Sequence, residues 1–218
     1  MSETLIQLSN EKSAQSSPEQ QQNPFLTSKV IRKPDSSPCR VLFLYPNERG
    51  MSTIPPSIAG LSQILKNEGH ITSLFDTTFY KFDDEITIED SDAITAKALT
   101  NRPVTDIDDD DLHFKKTTKS AVDDFRKAVL DFKPDIIAVS CTETTFLRGI
   151  KIIDETRDLG IKNLFGGVFP TFAPELVMTY PNVDMVCVGE GENAMIDLAN
   201  TLSNKDLPSN LTNLWIRQ

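Results

Sequence analysis

The chain has 218 residues, of which 39% are hydrophobic and 25% charged, and a formal net charge of −10. That length suits one large domain or an ordinary domain with appendages, at roughly 100 to 200 residues per domain, and the composition is globular rather than disordered. The acidic balance argues against a nucleic-acid partner, whose phosphates demand clustered Lys and Arg; no run approaches the ~18 apolar residues of a membrane span, so no membrane is expected.

The start MSETLIQLSN lacks the basic and apolar regions of a secretory signal, which points to a cytoplasmic protein. Cys39, Cys141 and Cys187 are far apart and form no C-x-x-C pair, so neither a disulfide framework nor a metal site is expected. Residues 1–38 hold eight Ser, five Gln and four Pro with little apolar content. Such a segment buries too little surface to offset the entropy of ordering and is expected to be a disordered N-terminal tail, with the folded domain spanning 39–204.

That domain opens at Arg40 with the apolar run Val41, Leu42, Phe43, Leu44 and Tyr45, the pattern of a buried parallel strand, and Pro46-Asn47 ends it. From Pro55 to Lys66, Ile58, Leu61, Ile64 and Leu65 recur at helical spacing, with Pro at the start and Glu68-Gly69-His70 as the stop. Residues 71–75, ending on Asp76, form the second strand. Residues 77–118 then carry eleven acidic against five basic side chains, a net of −6, with an unbroken Asp run at 108–111. This is expected to be a solvated acidic insertion, because the run lacks the Gly and alternating spacing of a calcium loop.

After the insertion, Ala121, Phe125, Ala128, Val129 and Phe132 mark a helix that stops before Lys133-Pro134. A strand at 135–140 follows, then a helix carrying Phe146, Ile150, Ile153 and Thr156 and ending at Leu159-Gly160. Residues 161–165 form a short strand that runs into Gly166-Gly167. A fifth strand at 184–188 ends in Gly189-Glu190-Gly191-Glu192, and the last helix covers 194–202. Five strands alternating with helices imply an α/β doubly wound parallel sheet covered on both faces. Ligands bind such sheets beyond the carboxyl ends of the strands, where strand order reverses.

Four strand-exit loops therefore carry the candidate site. Gly166-Gly167 and Gly189/Gly191 place residues without Cβ where strands leave the sheet, either for a tight turn or for close approach of a large ligand. Glu190 and Glu192 suit a helix N-terminus, where the macrodipole favours negative charge. Residues 140–145 are small and polar, fit to cap a helix or to bond a ligand. Cys141 has no His near it in sequence, so a small buried residue is favoured over a nucleophile. His70, at a helix end, and His113, in the insertion, stand in no metal-ligand pattern. Asp76 is placed to reach a ribose, but no G-x-G-x-x-G follows the first strand, which argues against a dinucleotide. The first exit loop, Tyr45-Pro46-Asn47-Glu48-Arg49-Gly50, also lacks the acidic pair of a receiver domain and the hydroxyl-rich loop of a flavodoxin.

The order R-V-L-F-L-Y-P-N, I-P-P-S-I-A-G-L-S-Q-I-L-K-N-E-G-H, K-P-D-I-I-A-V-S-C-T-E-T-T, G-G-V-F-P-T-F-A-P-E and V-D-M-V-C-V-G-E-G-E-N resembles the N-terminal cobalamin-binding domain of class B radical-SAM enzymes. The resemblance implies a flavodoxin-like, Rossmann-type domain whose loops embrace cobalamin (vitamin B12). It marks Pro46, Asn47, Ser140, Thr142, Gly166, Gly167, Pro170, Gly189 and Gly191 as cofactor-binding, with Cys141 counted among them. The D-x-H-x-x-G motif by which methionine-synthase-type domains supply a His to cobalt is absent, as it is in most of the class this chain resembles, so the resemblance implies no protein His ligand to cobalt.

No C-x-x-x-C-x-x-C occurs, so the [4Fe-4S] cluster, S-adenosylmethionine and all catalytic residues are expected in a radical-SAM catalytic domain, in cis or in trans, with residues 205–218 as the start of a linker toward it. The implied function is to hold cobalamin for methyl transfer or another radical transformation at unreactive carbon, inert alone. The alternative is a ligand-free regulatory or protein-interaction module that keeps the fold.

Overall fold

The computed structural model describes residues 28–47, 55–80, 117 and 119–217. Its strands are β1 (Arg40–Tyr45), β2 (Ile71–Asp76), β3 (Ile136–Ser140), β4 (Lys162–Gly166), β5 (Met185–Cys187) and β6 (Leu214–Ile216). The helices are α1 (Pro56–Asn67), α2 (Ala121–Phe132), α3 (Glu143–Asp154), α4 (Val168–Phe172), α5 (Pro174–Thr179) and α6 (Glu192–Ser203). The sheet order is β2-β1-β3-β4-β5-β6, with every pairing parallel except β5 with β6. Strand order therefore reverses between β1 and β3.

The doubly wound parallel arrangement expected from the alternation is present, with one correction: the sheet has a sixth, antiparallel strand where a linker was expected. Leu214 pairs with Cys187 and Ile216 with Met185. Arg217 secures the return by donating to the carbonyls of Val183, Met178 and Tyr180.

Period-two alternation splits each strand between two cores. Leu42, Leu44, Ile137 and Val139 face Phe125 and Val129 of α2 and Phe146 and Ile150 of α3. Val41, Phe43, Ile136 and Ala138 face Ile58 and Leu65 of α1 and Met195 and Leu198 of α6. Local signals set the helix ends. The Ser120 hydroxyl accepts from the Asp123 N–H at 3.2 Å to cap α2, and Lys133 closes it in the left-handed region at φ 51° before Pro134.

The tail expected through residue 38 needs a second correction, because residues 28–38 are described and the first of them are bound. The Asp197 carboxylate, 2% exposed on α6, accepts from Ser28 Oγ at 2.7 Å and from the backbone N–H of Lys29 at 2.8 Å and Val30 at 2.9 Å. Asn204, at the end of α6, accepts from Lys33 N–H and donates to the Ile31 carbonyl. The remainder of the tail, the 48–54 part of the first exit loop and nearly all of the acidic insertion, with His113, lie outside the described residues.

Candidate functional site

At the carboxyl edge of the sheet, α1 and α6 diverge over the exits of β3, β4 and β5 and leave a cleft of about 140 Å³. Ser57 and Leu61 of α1 form one wall, and Gly191, Glu192 and Met195 form the other. Its floor is Phe43, Ala138, Leu164 and Cys187, so the lining is mostly apolar and, among the described residues, carries no Lys or Arg. The cleft exists because residue volumes are small here. A Cβ on Gly191 would sit 3.6 Å from Leu61 Cδ2, projecting across the gap, and one on Gly166 would meet the Cβ of Cys187 at 3.6 Å.

The two glycine pairs do different jobs. Gly167 has φ 105°, and a Cβ there would lie 2.6 Å from the Cys141 carbonyl oxygen. It lets β4 leave the sheet against the backbone of β3's exit, where Cys141 N–H donates to the Gly166 carbonyl at 3.0 Å. Gly189 also has positive φ, 81°, but nothing within 4 Å of a built Cβ. Its N–H donates to Thr171 Oγ1 at 3.1 Å, which ties the two glycine loops together.

Of the ten residues marked from sequence, five line the cleft: Ser140, Gly166, Gly167, Gly189 and Gly191. The others lie elsewhere. Pro46 and Asn47 are buried at the exit of β1; Asn47 donates to Thr78 Oγ1 at 2.9 Å, and its carbonyl accepts from Thr77 Oγ1 at 2.9 Å. Cys141 is buried on the α2–α3 side, with its thiol pushed up to about 12 by desolvation. Thr142 is exposed at the start of α3, where its N–H donates to Thr145 Oγ1 at 3.0 Å. Pro170 is buried within α4.

Cys187, on the cleft floor, is raised to about 11, first by burial and then by the carboxylates of Glu192 and Glu190. A thiol so raised stays protonated near neutral pH and is a poor nucleophile. Glu190 and Glu192 do line the cleft, beyond the helix-start role suggested by their position.

His70 is not at the cleft at all. It is buried at the entry end of the sheet, where Nδ1 accepts from Cys39 N–H at 3.2 Å and Nε2 pairs with Asn200 Oδ1 at 3.0 Å. Because Nδ1 accepts, Nε2 carries the proton and the ring is neutral. Burial pulls its pKa below the ordinary value. Asp76 is also engaged locally, accepting from Thr78 N–H at 2.9 Å and Thr78 Oγ1 at 2.5 Å. Among the described residues no group of His, Cys, Asp and Glu side chains converges to hold a metal ion.

Sequence reasoning missed Ser57, Leu61 and Met195. Their signal was available: they occupy the opening turns of the two helices that follow the β1 and β5 exits, and helix starts face the carboxyl edge in this architecture.

With a volume of about 140 Å³ and an apolar floor, the cleft has room for a small neutral group. Three solved structures share the fold. The radical S-adenosylmethionine methyltransferase TsrM from Kitasatospora setae, with cobalamin and a [4Fe-4S] cluster bound, matches 82% of this chain at 17% identity and a TM-score of 0.56. TsrM with tryptophan substrate and an S-adenosylmethionine analogue matches 80% at 18% identity and a TM-score of 0.55. The cobalamin-dependent S-adenosylmethionine radical enzyme OxsB, in its apo form, matches 81% at 20% identity and a TM-score of 0.51.

The chain spans only 29% of the first TsrM chain, 28% of the second and 20% of the OxsB chain. A search of curated proteins finds no match. The model of the B12 binding domain matches residues 48–199, well over half of the chain, from before α1 into α6. This chain belongs to the B12-binding domain family.

Proposed function

We propose that the chain binds cobalamin across the strand exits and presents its cobalt to a radical-SAM catalytic domain, in cis or in trans, for methyl transfer or another radical transformation at unreactive carbon. The cleft between α1 and α6, floored by Ala138 and Cys187 and kept open by Gly166 and Gly191, is the observation that carries this reading. Cobalamin supplies the cobalt chemistry; the protein supplies position and environment.

Residues 140, 166, 189 and 191 are the proposed contacts in the cleft, with Thr142 beside it at the β3 exit. His70 lies at the other end of the sheet with both ring nitrogens engaged, which supports a cobalt without an imidazole from this part of the chain. The iron-sulfur cluster and S-adenosylmethionine belong, on this reading, to the catalytic domain.

The test is direct. Purified chain mixed with hydroxocobalamin and stripped of excess by gel filtration should carry corrin absorbance with the protein peak. Protein that elutes free of corrin after saturation would sink the proposal.

A further inference from the structure

The two helices that wall the cleft are clipped together at their far ends by the segment 28–33. On α6, Asp197, Asn200 and the terminal Asn204 are spaced three and four residues apart, which places them on one stripe of the helix. That stripe bonds mostly backbone: Asp197 accepts from Lys29 and Val30 N–H, Asn200 donates to the Val30 carbonyl at 2.7 Å, and Asn204 takes Lys33 N–H and the Ile31 carbonyl. Arg32 then crosses to the end of α1, where its guanidinium donates to the Gly69 carbonyl at 3.1 Å. Asn200 also holds His70, which follows α1, so the clip is joined to the sheet through Cys39. The far ends of α1 and α6 are thus cross-linked, while Leu61 and Met195, nearer their starts, line the cleft.

We infer that residues 28–33 form a strap that sets the opening of the cleft, with Asp197 and Asn200 as its positioning residues. Releasing the strap removes the hydrogen bonds that hold Asp197 and the Arg32 tie to Gly69, so α6 is no longer fastened to the end of α1 and is free to move outward. Outward movement of α6 against α1 opens the cleft. By linkage, a ligand that holds the two walls together must in turn hold the strap down. The ligand half of this inference rests on the cobalamin reading above, whereas the coupling between strap and cleft does not.

The experiment uses the full chain and its own thiols. Val30→Pro removes one N–H from Asp197 without altering α6, and Asn204→Ala removes two strap bonds from the other end should the first variant fold poorly. Tryptic cleavage after Arg32 reports strap release. Alkylation of Cys187, located by mass spectrometry, reports the cleft, and Cys141, on the opposite face of the sheet, serves as the internal reference.

Either variant should raise both Arg32 cleavage and the Cys187-to-Cys141 labelling ratio, the latter by about tenfold, the ordinary scale of coupling between two sites. Hydroxocobalamin should slow Arg32 cleavage in the unmodified chain. Faster Arg32 cleavage with an unchanged Cys187 ratio would overturn the strap inference whatever cobalamin does. Absence of cobalamin binding by the unmodified chain, with the Cys187 ratio still responding, would sink the cofactor reading and leave the strap standing.

Discussion

The two faces of the sheet are built from different side chains. Against α2 and α3 the core is aromatic: Phe125 meets Phe75 edge-on at 5.1 Å, and Phe146 packs on Phe165, Phe169 and Tyr180 at 5.6, 5.1 and 4.9 Å between ring centroids. Against α1 and α6 the core is aliphatic: the strands present Val41, Ile136, Ala138, Leu164, Met185 and Cys187 to Ala194, Met195, Leu198 and Ala199, with Phe43 as the buried aromatic exception. One sheet carrying both sets fills the first face to its edge and stops short on the second. The cleft is therefore a volume deficit written in Ala and Gly, and a ligand site need not have a conspicuous polar signature.

The largest effect should come from the filled face. Phe146 is 2% exposed at the centre of its ring cluster, so Phe146→Ala is expected to cost about 3–5 kcal/mol, read from denaturant unfolding. Retained stability would mean that this face is less tightly filled than its ring contacts indicate. Next is Gly167, where a side chain must adopt φ 105° with its Cβ 2.6 Å from a carbonyl oxygen. Gly167→Ala is expected to cost about 1–3 kcal/mol through backbone strain, whether or not cobalamin is present. If it lost cobalamin at full stability instead, Gly167 would be a ligand contact rather than a turn residue.

These two positions show how far the sequence could be read. Continuous apolar runs announced β1, β3 and β5, because strands buried on both faces have no polar alternation to hide them, whereas the half-exposed β2 was legible from its place directly after the α1 stop. β6 escaped: three residues after the left-handed turn residue Asn213 carry too little pattern to distinguish from a linker. The short helices α4 and α5 escaped because Pro170 and Pro174 look like breakers, although Pro174 sits in the first turn of α5, where its missing N–H has no helical partner to lose. The strap escaped for a deeper reason. Its partners lie about 170 residues away on α6, and they grip backbone, which every sequence possesses.

The candidate site was legible by half. Glycines at strand exits are visible in any α/β chain, but whether a given glycine serves the turn or the cleft depends on what faces it. Only the fold reveals that Gly167 meets the Cys141 backbone at 2.6 Å while Gly191 meets the Leu61 side chain at an ordinary contact distance of 3.6 Å.

A smaller effect is expected at the entry end, where His70 is held neutral. Its pKa is lowered in the folded chain from the ordinary 6.5, chiefly by burial. Above 6.5 neither folded nor unfolded chain binds the proton. As pH falls through that value the unfolded chain takes it up and the folded chain resists, so stability must fall toward acid. Urea midpoints at pH 7.5 and 5.5 should differ less in His70→Gln than in the unmodified chain; an equal acid loss in both would remove His70 from the account.

The smallest effect on stability should be the most informative about function. Gly191 has an ordinary φ of −95°, and the space beyond its Cα is the cleft itself, bounded by Leu61 at 3.6 Å and the Cys187 sulfur at 3.8 Å from a built Cβ. A leucine there would extend the poorly filled face toward the packing of the other face, burying apolar surface against Leu61 rather than straining the backbone. Gly191→Leu is thus expected to change unfolding stability by about 1 kcal/mol or less, because its Cβ meets Leu61 and Cys187 only at ordinary contact distances and the rest of the side chain extends into the cleft. The same substitution should eliminate retention of corrin absorbance on gel filtration, because it occupies the room a ligand substituent needs. Undiminished cobalamin retention in a folded Gly191→Leu chain would move the cofactor out of this cleft and make the volume deficit a plain packing defect.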